Sequence, residues 1–335
     1  MSLWLAHMGA KVHGYALAPE ATPNLFTDAK IADHVEHEVG NILHMEQLER
    51  SMRVFEPEVV FHLAAQPLVR RSYASPVETY ATNVLGTAHV LDAVRRSPSV
   101  RAIVVITTDK VYENREWLWG YREPDRLGGY DPYSSSKACA ELVTAAYRNS
   151  YFPVEKLSEH KVALATARAG NVIGGGDWSE DRLIPDLVRG FLAGKPVLIR
   201  NPHAIRPWQH VLEPLAGYLG LANRLLSAEA AFAGGWNFGP SEEDAWPVGR
   251  IADAMTRAWG GTSSWVQDGA ENPHEAGYLK LDASKARTLL HWKPVLPLEG
   301  ALNWLVEWFL AWQRHADMQD FTLGQIQEYE RLLKR

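Results

Sequence analysis

The chain has 335 residues, a net charge of −6 and 46% hydrophobic residues, enough for one large domain or two smaller ones of ordinary globular composition. A sequence pI near 6.1 argues against a general nucleic-acid binder, which needs a basic face. No apolar run reaches the ~18 residues of a membrane span, the opening MSLWLAHMGAKV lacks the flanks of a secretion signal, and the single Cys139 forbids an intrachain disulfide, so a cytoplasmic protein is expected.

Ser2–Met8 reads as a helical stub. Lys11–Leu17, Val35–Val39, Glu58–Leu63, Arg101–Thr107 and Lys161–Arg168 read as strands, from short β-branched runs. Between them Met45–Phe55, Pro76–Arg96 and Tyr133–Ser150 carry the spacing of amphipathic helices. Runs such as VVF and IVVI are apolar on both faces, as buried parallel strands require. The β-α-β-α order predicts an α/β, Rossmann-like doubly wound parallel sheet with right-handed crossovers.

After about Asn171, Gly and Pro become frequent, and Gly174–Gly176 reads as a loop turn. Helices over Leu183–Ala193, Val211–Leu226, Val248–Trp259 and Pro297–His315 are separated by long loops, and Phe321–Lys334 reads as a final helix or tail. The expected division is residues 1–171 as the Rossmann-like half and residues 172–335 as a smaller, mostly helical substrate lobe with segments returning to the core sheet.

Tyr133 and Lys137 form Y-x-x-x-K at the start of a helix, and a spacing of four puts both side chains on one face. A tyrosine with a pKa of ~10 is a poor base at neutral pH. A cation ~4 Å away, at an effective dielectric of ~20, favours the phenolate by about 4 kcal/mol and brings it within working range. With 12 tyrosines in the chain, the pair alone says little. Its meaning comes from Thr108, Asp109 and Lys110, which stand just past the Arg101–Thr107 strand. In a parallel sheet that is the carboxyl edge, where ligands bind.

Ala64, Ala65 and Gln66 follow another strand, where small residues let a flat ring or ribose approach the backbone. Asn171 ends the last core strand and can donate to phosphate or sugar, and Arg206 can pair a diphosphate in bidentate fashion. His34 and His37 lack partners at metal-ligand spacing, so no metal site is expected.

The segments HLAAQPLVRRSYASPVETYATNVLGT, TTDKVYENREWLWGYRE, GGYDPYSSSKACAELV, ARAGNVIGGGDW and RPWQHVLEPLAGYL resemble the CDP-glucose 4,6-dehydratases, a branch of the extended short-chain dehydrogenases/reductases. The resemblance runs from about Leu3 to about Trp312, and the related dTDP-glucose and GDP-mannose enzymes carry Glu where Lys110 stands. It implies NAD as a tightly held cofactor and a nucleotide sugar, CDP-glucose, as substrate. Tyr133 would act as base at sugar C4 with Lys137 supporting it. Lys110 would stand where the C5 base stands, and Asp109 would protonate the leaving C6 hydroxyl. The product would be CDP-4-keto-6-deoxyglucose, a precursor of deoxysugars for surface polysaccharide. A lysine can be a base only with a lowered pKa, which neighbouring Lys137 and oxidised nicotinamide would provide. The family's arrangement further implies a homodimer through the Pro76–Arg96 and Tyr133–Ser150 helices; their apolar stripes at Val84, Ala88, Leu91, Ala138, Leu142, Val143 and Ala146 fit either that contact or packing on their own sheet.

The sequence departs from the family in three places. The opening strand and its Thr-Gly-x-x-Gly-x-x-Gly turn, about 15 residues, have no counterpart before Ser2–Met8. Two expectations follow: a longer native protein, or a chain with weak or no NAD binding. Asn41 stands where the family's adenine-contacting Asp is usual, and Val111 replaces a commoner cysteine. Two further functions stay open at this stage, a nucleotide-sugar epimerase or decarboxylase and a non-catalytic nucleotide-sugar binder.

Overall fold

The structure, a computed structural model, describes residues 1–268 and 278–335. Ten strands form among those residues: β1 (His13–Ala16), β2 (Glu36–Val39), β3 (Val59–His62), β4 (Ala102–Ile106), β5 (Ala163–Ala169), β6 (Val172–Ile173), β7 (Val197–Ile199), β8 (Gln209–His210), β9 (Gly234–Phe238) and β10 (Trp265–Gln267). The core sheet has the order β3-β4-β5-β9, and every pairing in it is parallel. Its register sets Val60 opposite Ile103, Ile103 opposite Leu164 and Ala167 opposite Trp236.

Side chains alternate across a strand, so each face of β4 and β5 needs its own cover. Ala102, Val104, Ala163, Ala165, Ala167 and Ala169 pack with the Leu212–Leu226 helix on one side. Ile103, Val105 and Leu164 pack on the other with the Met45–Phe55 and Gly86–Arg95 helices. The expected two-sided parallel fold is therefore present. The five strands read from the sequence all form, but they fall into two parallel sheets, because β1 and β2 pair with each other as a separate ribbon. β9 was not read as a strand. It opens on Gly234 and Gly235, which have weak strand propensity, and is a strand because β5 offers it an edge.

The Pro132–Ser150 helix starts where its chemistry says it should. Asp131 accepts from Ser134 N at 2.9 Å, the Ser134 hydroxyl bonds back, and Pro132 sits in the first turn. The Pro76–Arg96 run is helical but not one α-helix. Pro76–Tyr80 and Gly86–Arg95 are joined by a π-turn over Ala81–Leu85. The turn aims buried Asn83 inward, where it bonds the Gln66 backbone and the Ser136 hydroxyl.

In the second half, Ile184, Leu187, Val188, Met255, Leu305, Trp308 and Phe309 form a separate apolar core. The last helix, Met318–Leu333, is no loose tail: its Tyr329 hydroxyl bonds buried Glu213 at 2.8 Å.

Leu164, 1% exposed, fills the face opposite the alanines of β5. Leu164→Ala is expected to cost about 2–5 kcal/mol of unfolding free energy. In urea titration this appears as a lower midpoint at unchanged slope.

Candidate active site

β4 ends at Ile106 and runs through Thr107 into Thr108, whose hydroxyl caps the single turn Asp109–Val111 by accepting from Lys110 N at 3.4 Å. Asp109 is fully buried. Its Oδ1 accepts the Thr108 hydroxyl at 2.9 Å and lies 3.8 Å from Lys110 Nζ. Its Oδ2 has no hydrogen-bond partner among the described residues. Gly170, just past β5, lets this happen: a Cβ there would collide with Asp109 Oδ2 and with Pro207. Gly129 plays the same part against the Ser134 backbone, at the entry to the Pro132–Ser150 helix.

Tyr133 and Lys137 project from the first turns of that helix toward the same strand end, and both are buried. Tyr133 is in hydrogen-bond contact with Thr108, and its backbone N donates to the Ser72 hydroxyl at 3.1 Å. Lys137 Nζ donates to the Ile106 carbonyl at 3.0 Å. Thr108, Asp109, Lys110, Tyr133 and Lys137 are thus brought to one place, as expected.

The electrostatics differ from the expectation in two respects. Burial raises the Tyr133 phenol above its ordinary range, and the cation opposing it most is Arg182 rather than Lys137. Burial lowers Lys137 itself to about 8, against the pull of Glu141. Lys110 is held below the usual ammonium range, first by burial and then by Arg206 and Arg182, with Asp109 opposing. The expected direction for Lys110 is found, but the cations responsible come from the loops of the second half. Behind the site, burial and the Lys137 charge push His62 down to about 3, so it is neutral and bonded to the Thr87 hydroxyl.

Lys110, Asn171 and Arg206 line one cavity of about 820 Å³, a volume that suits a small-molecule ligand. Asn171 adopts the left-handed region, with φ of 29°, and its buried Oδ1 has no partner among the described residues. Four further cations line the cavity that the sequence did not single out: Arg70, Arg115, Arg182 and Arg200. Arg182 donates to the Pro67 carbonyl at 2.8 Å, and Asp181 meets Arg70 at 3.3 Å and Arg200 at 4.0 Å. Arg182 follows the Gly-Asp-Trp turn and opens the Leu183–Leu192 helix, a helix-entry position that could have drawn attention.

Asn41, Ala64, Ala65 and Gln66 stand outside the wall of this cavity, at the carboxyl ends of β2 and β3. Asn41 Oδ1 accepts from Leu43 N at 2.9 Å and fixes the turn after β2. Ala64 and Ala65 are half-buried. The Gln66 side chain is occupied within the protein: its oxygen accepts from Leu68 N at 2.7 Å and its nitrogen donates to Thr79 at 2.8 Å. The Gln66 amide thereby holds its own loop together. No group of metal-ligating side chains occurs among the described residues.

A lysine whose pKa drops on folding destabilises the protein while it must stay charged. The penalty applies below pH 8 and fades as pH rises from 8 toward the unfolded value of about 10.4. Lys137→Met should therefore stabilise the fold by on the order of 2–3 kcal/mol at pH 7, an advantage that shrinks by pH 10. Urea unfolding at the two pH values measures both numbers.

The chain matches the GDP-mannose 4,6-dehydratase family over residues 2–303. It is 53% identical to the CDP-glucose 4,6-dehydratase of Salmonella typhimurium, covering 98% of this chain and 92% of that one. Its fold is like that of the UDP-glucose 4-epimerase of Thermotoga maritima, with a TM-score of 0.77 at 20% identity, over 91% of this chain and 92% of that one. It is also like that of the dTDP-glucose 4,6-dehydratase of Bacillus anthracis, with a TM-score of 0.74 at 22% identity, over 92% and 90%. The buried Tyr133–Lys137 pair at the edge of a parallel sheet and these likenesses agree: the chain belongs to the GDP-mannose 4,6-dehydratase family of extended short-chain dehydrogenases/reductases.

Proposed function

We propose that this chain is an NAD-dependent CDP-glucose 4,6-dehydratase that forms CDP-4-keto-6-deoxyglucose. The observation that carries the reading is the Asp109–Lys110 pair, a buried carboxylate with a half-buried ammonium 3.8 Å away, set against Tyr133 at the mouth of β4. A simple epimerase needs one proton-transfer centre at C4, whereas a dehydratase also needs a base at C5 and an acid at C6. The choice of cytidine is supported by the 53% identity to the Salmonella enzyme.

Residues 1–171 would hold the cofactor and residues 172–335 would close over the sugar nucleotide. Asn41 would meet the adenosine end, Ala64 and Ala65 would leave room beside the sheet edge, and Tyr133 and Lys137 would stand at the reacting end, a reading supported by their common position at the carboxyl edge of the strands. Bound there, NAD+ would accept hydride at sugar C4 and give it back at C6. The chain's own residues manage the protons. Tyr133 takes the proton of the C4 hydroxyl, with Thr108 in hydrogen-bond contact and Arg182 lowering the cost of the phenolate. Lys110, depressed by burial and by Arg206 and Arg182, takes the C5 proton. Asp109, whose Oδ2 has no partner, supplies the proton that lets the C6 hydroxyl leave as water. Asn171 and Arg206, joined by Arg182 and Arg200, face the diphosphate.

A homodimer is part of the proposal. Leu91 and Ala138 of the expected stripes are buried within the chain, but Leu142 and Ala146 face outward. Val77, Leu85 and Leu142 are 80%, 51% and 59% exposed on neighbouring helices, which supports pairing through that face. No helix among the described residues is long and apolar enough to cross a membrane. Nucleotide sugars and NAD are cytoplasmic metabolites, which supports placing the enzyme there, in the supply of deoxysugars for lipopolysaccharide.

Incubation with CDP-glucose and NAD+ should give the alkali-induced absorbance of a 4-keto-6-deoxy sugar, and Tyr133→Phe should lower kcat by at least about 100-fold. No product from the unaltered chain overturns the reading. Lys110→Met should lose solvent-deuterium incorporation at C5; undiminished incorporation removes Lys110 from the base role. Light scattering should show a dimer at micromolar concentration and a monomer for Leu142→Glu.

A further inference from the structure

Behind the candidate site lies a buried carboxylate that the chemistry above does not use. Glu141 is 4% exposed and stands four residues after Lys137, on the face of the Pro132–Ser150 helix that meets the sheet. Its Oε1 accepts from the Thr107 hydroxyl at 2.6 Å and from Arg168 Nε at 2.8 Å. Its Oε2 accepts from the Thr166 hydroxyl and from Arg168 Nη2, both at 2.8 Å. Thr107 is the residue between β4 and Thr108, and Thr166 and Arg168 lie within β5. One side chain of the helix is therefore tied to two adjacent strands by four directional bonds, two of them a bidentate guanidinium fork. Arg168 extends the tie: its Nη1 donates to the Tyr112 hydroxyl at 2.7 Å, and Tyr112 donates to Asn237 on β9 at 2.7 Å.

Net stability is a weak explanation for such a group. Desolvation offsets most of the Coulombic gain of a buried ion pair, and apolar residues of similar volume often serve as well. Four bonds to fixed strands do determine the rotation and height of a helix. A turn of about 20° moves a side-chain tip at the ~5 Å helix surface by roughly 2 Å, and misplacement of about 1 Å can cost on the order of 100-fold in rate.

We propose that Glu141 is a positioning residue: it clamps the helix of Tyr133 and Lys137 to the ends of β4 and β5, and it is the anion that faces Lys137 from within that helix. The proposal rests on the dehydratase reading given above. The other groups around Lys137 are few. From β3 comes His62, held neutral by burial and by Lys137 itself; from β4 comes the Ile106 carbonyl, which accepts the ammonium. Burial lowers Lys137 to about 8, and Glu141 opposes that fall.

The test uses the full chain with Glu141→Gln and Arg168→Met together, which removes both charges at similar volume. Two quantities are read: kcat and KM with CDP-glucose and NAD+, and the titration midpoint of the Lys137 ammonium by 15N NMR without substrate. The double variant should keep its KM within about threefold, lose on the order of 100-fold in kcat, and show a Lys137 midpoint lower by about one pH unit or more. A wild-type kcat, or an unmoved midpoint, overturns the proposal. If the double variant does not fold, Thr166→Val keeps the ion pair and removes one tether; it should lose about tenfold in kcat at constant KM, and an unchanged kcat there overturns the proposal too. If the unaltered chain gives no product, the dehydratase reading has failed, and the substrate-free Lys137 midpoint still decides whether Glu141 faces that ammonium.

Discussion

Parallel alignment of β3, β4, β5 and β9 is the constraint on which the rest of the molecule depends. When every strand runs the same way, every strand exit lies on one edge, and residues far apart in sequence meet there without any long-range device. Ala64 and Ala65 leave β3 at that edge, Thr108 and Asp109 leave β4, and Gly170 and Asn171 leave β5. The returning Pro132–Ser150 helix starts over the same edge, because the crossover that follows β4 must climb back there. The alanine and β-branched residues within the strands do not touch the chemistry, but they decide where it can occur.

A site assembled this way inherits the sheet's dryness. Asp109, Tyr133, Lys137 and Glu141 are all nearly inaccessible to solvent. Such groups must answer to one another, because water does not compensate them. The structure divides the work between the two halves of the chain. The first half supplies Asp109, Lys110, Tyr133 and Lys137, and surrounds them with hydroxyls, the Ile106 carbonyl and one buried carboxylate. The second half supplies charge: Arg182 acts on Tyr133 and Lys110, and Arg206 on Lys110. Burial makes the Lys110 amine less basic, and the two arginines add to that against the opposing pull of Asp109.

Much of this was legible in the sequence, for physical reasons. Buried parallel strands need nearly continuous apolar runs, so β3, β4 and the alanine-rich β5 announced themselves, and Y-x-x-x-K puts both side chains on one face of a helix. The amphipathic spacing over Tyr133–Ser150 came within one residue of the helix start at Pro132, which Asp131 caps in the structure. β9 was missed because its strand character comes from β5 and not from Gly234 or Gly235. The π-turn at Ala81–Leu85 was missed because periodicity cannot tell an added residue from a continuing helix when the reason, Asn83 reaching Gln66 and Ser136, lies elsewhere in the chain. Arg182 was missed because its one signal, a position at the entry of the Leu183–Leu192 helix, does not say what the side chain faces; the fold shows that. The strand exit at Gln66 was legible, but the bonds of its amide to Leu68 and Thr79 were not, because those partners meet it only in the fold.

The alanines of β5 have a consequence beyond filling space. Ala163, Ala165, Ala167 and Ala169 present only methyl groups to the Leu212–Leu226 helix. Near the start of that helix Glu213 accepts from Val295 and Leu296 N at 2.9 and 2.7 Å and holds the Tyr329 hydroxyl, so the helix carries the C-terminal segments with it. The row of methyls is in effect a spacer between the sheet and everything that rides on the helix. Bulkier side chains at those four positions would lift the second half outward and change the width of the nucleotide cleft, although none of the four lines it.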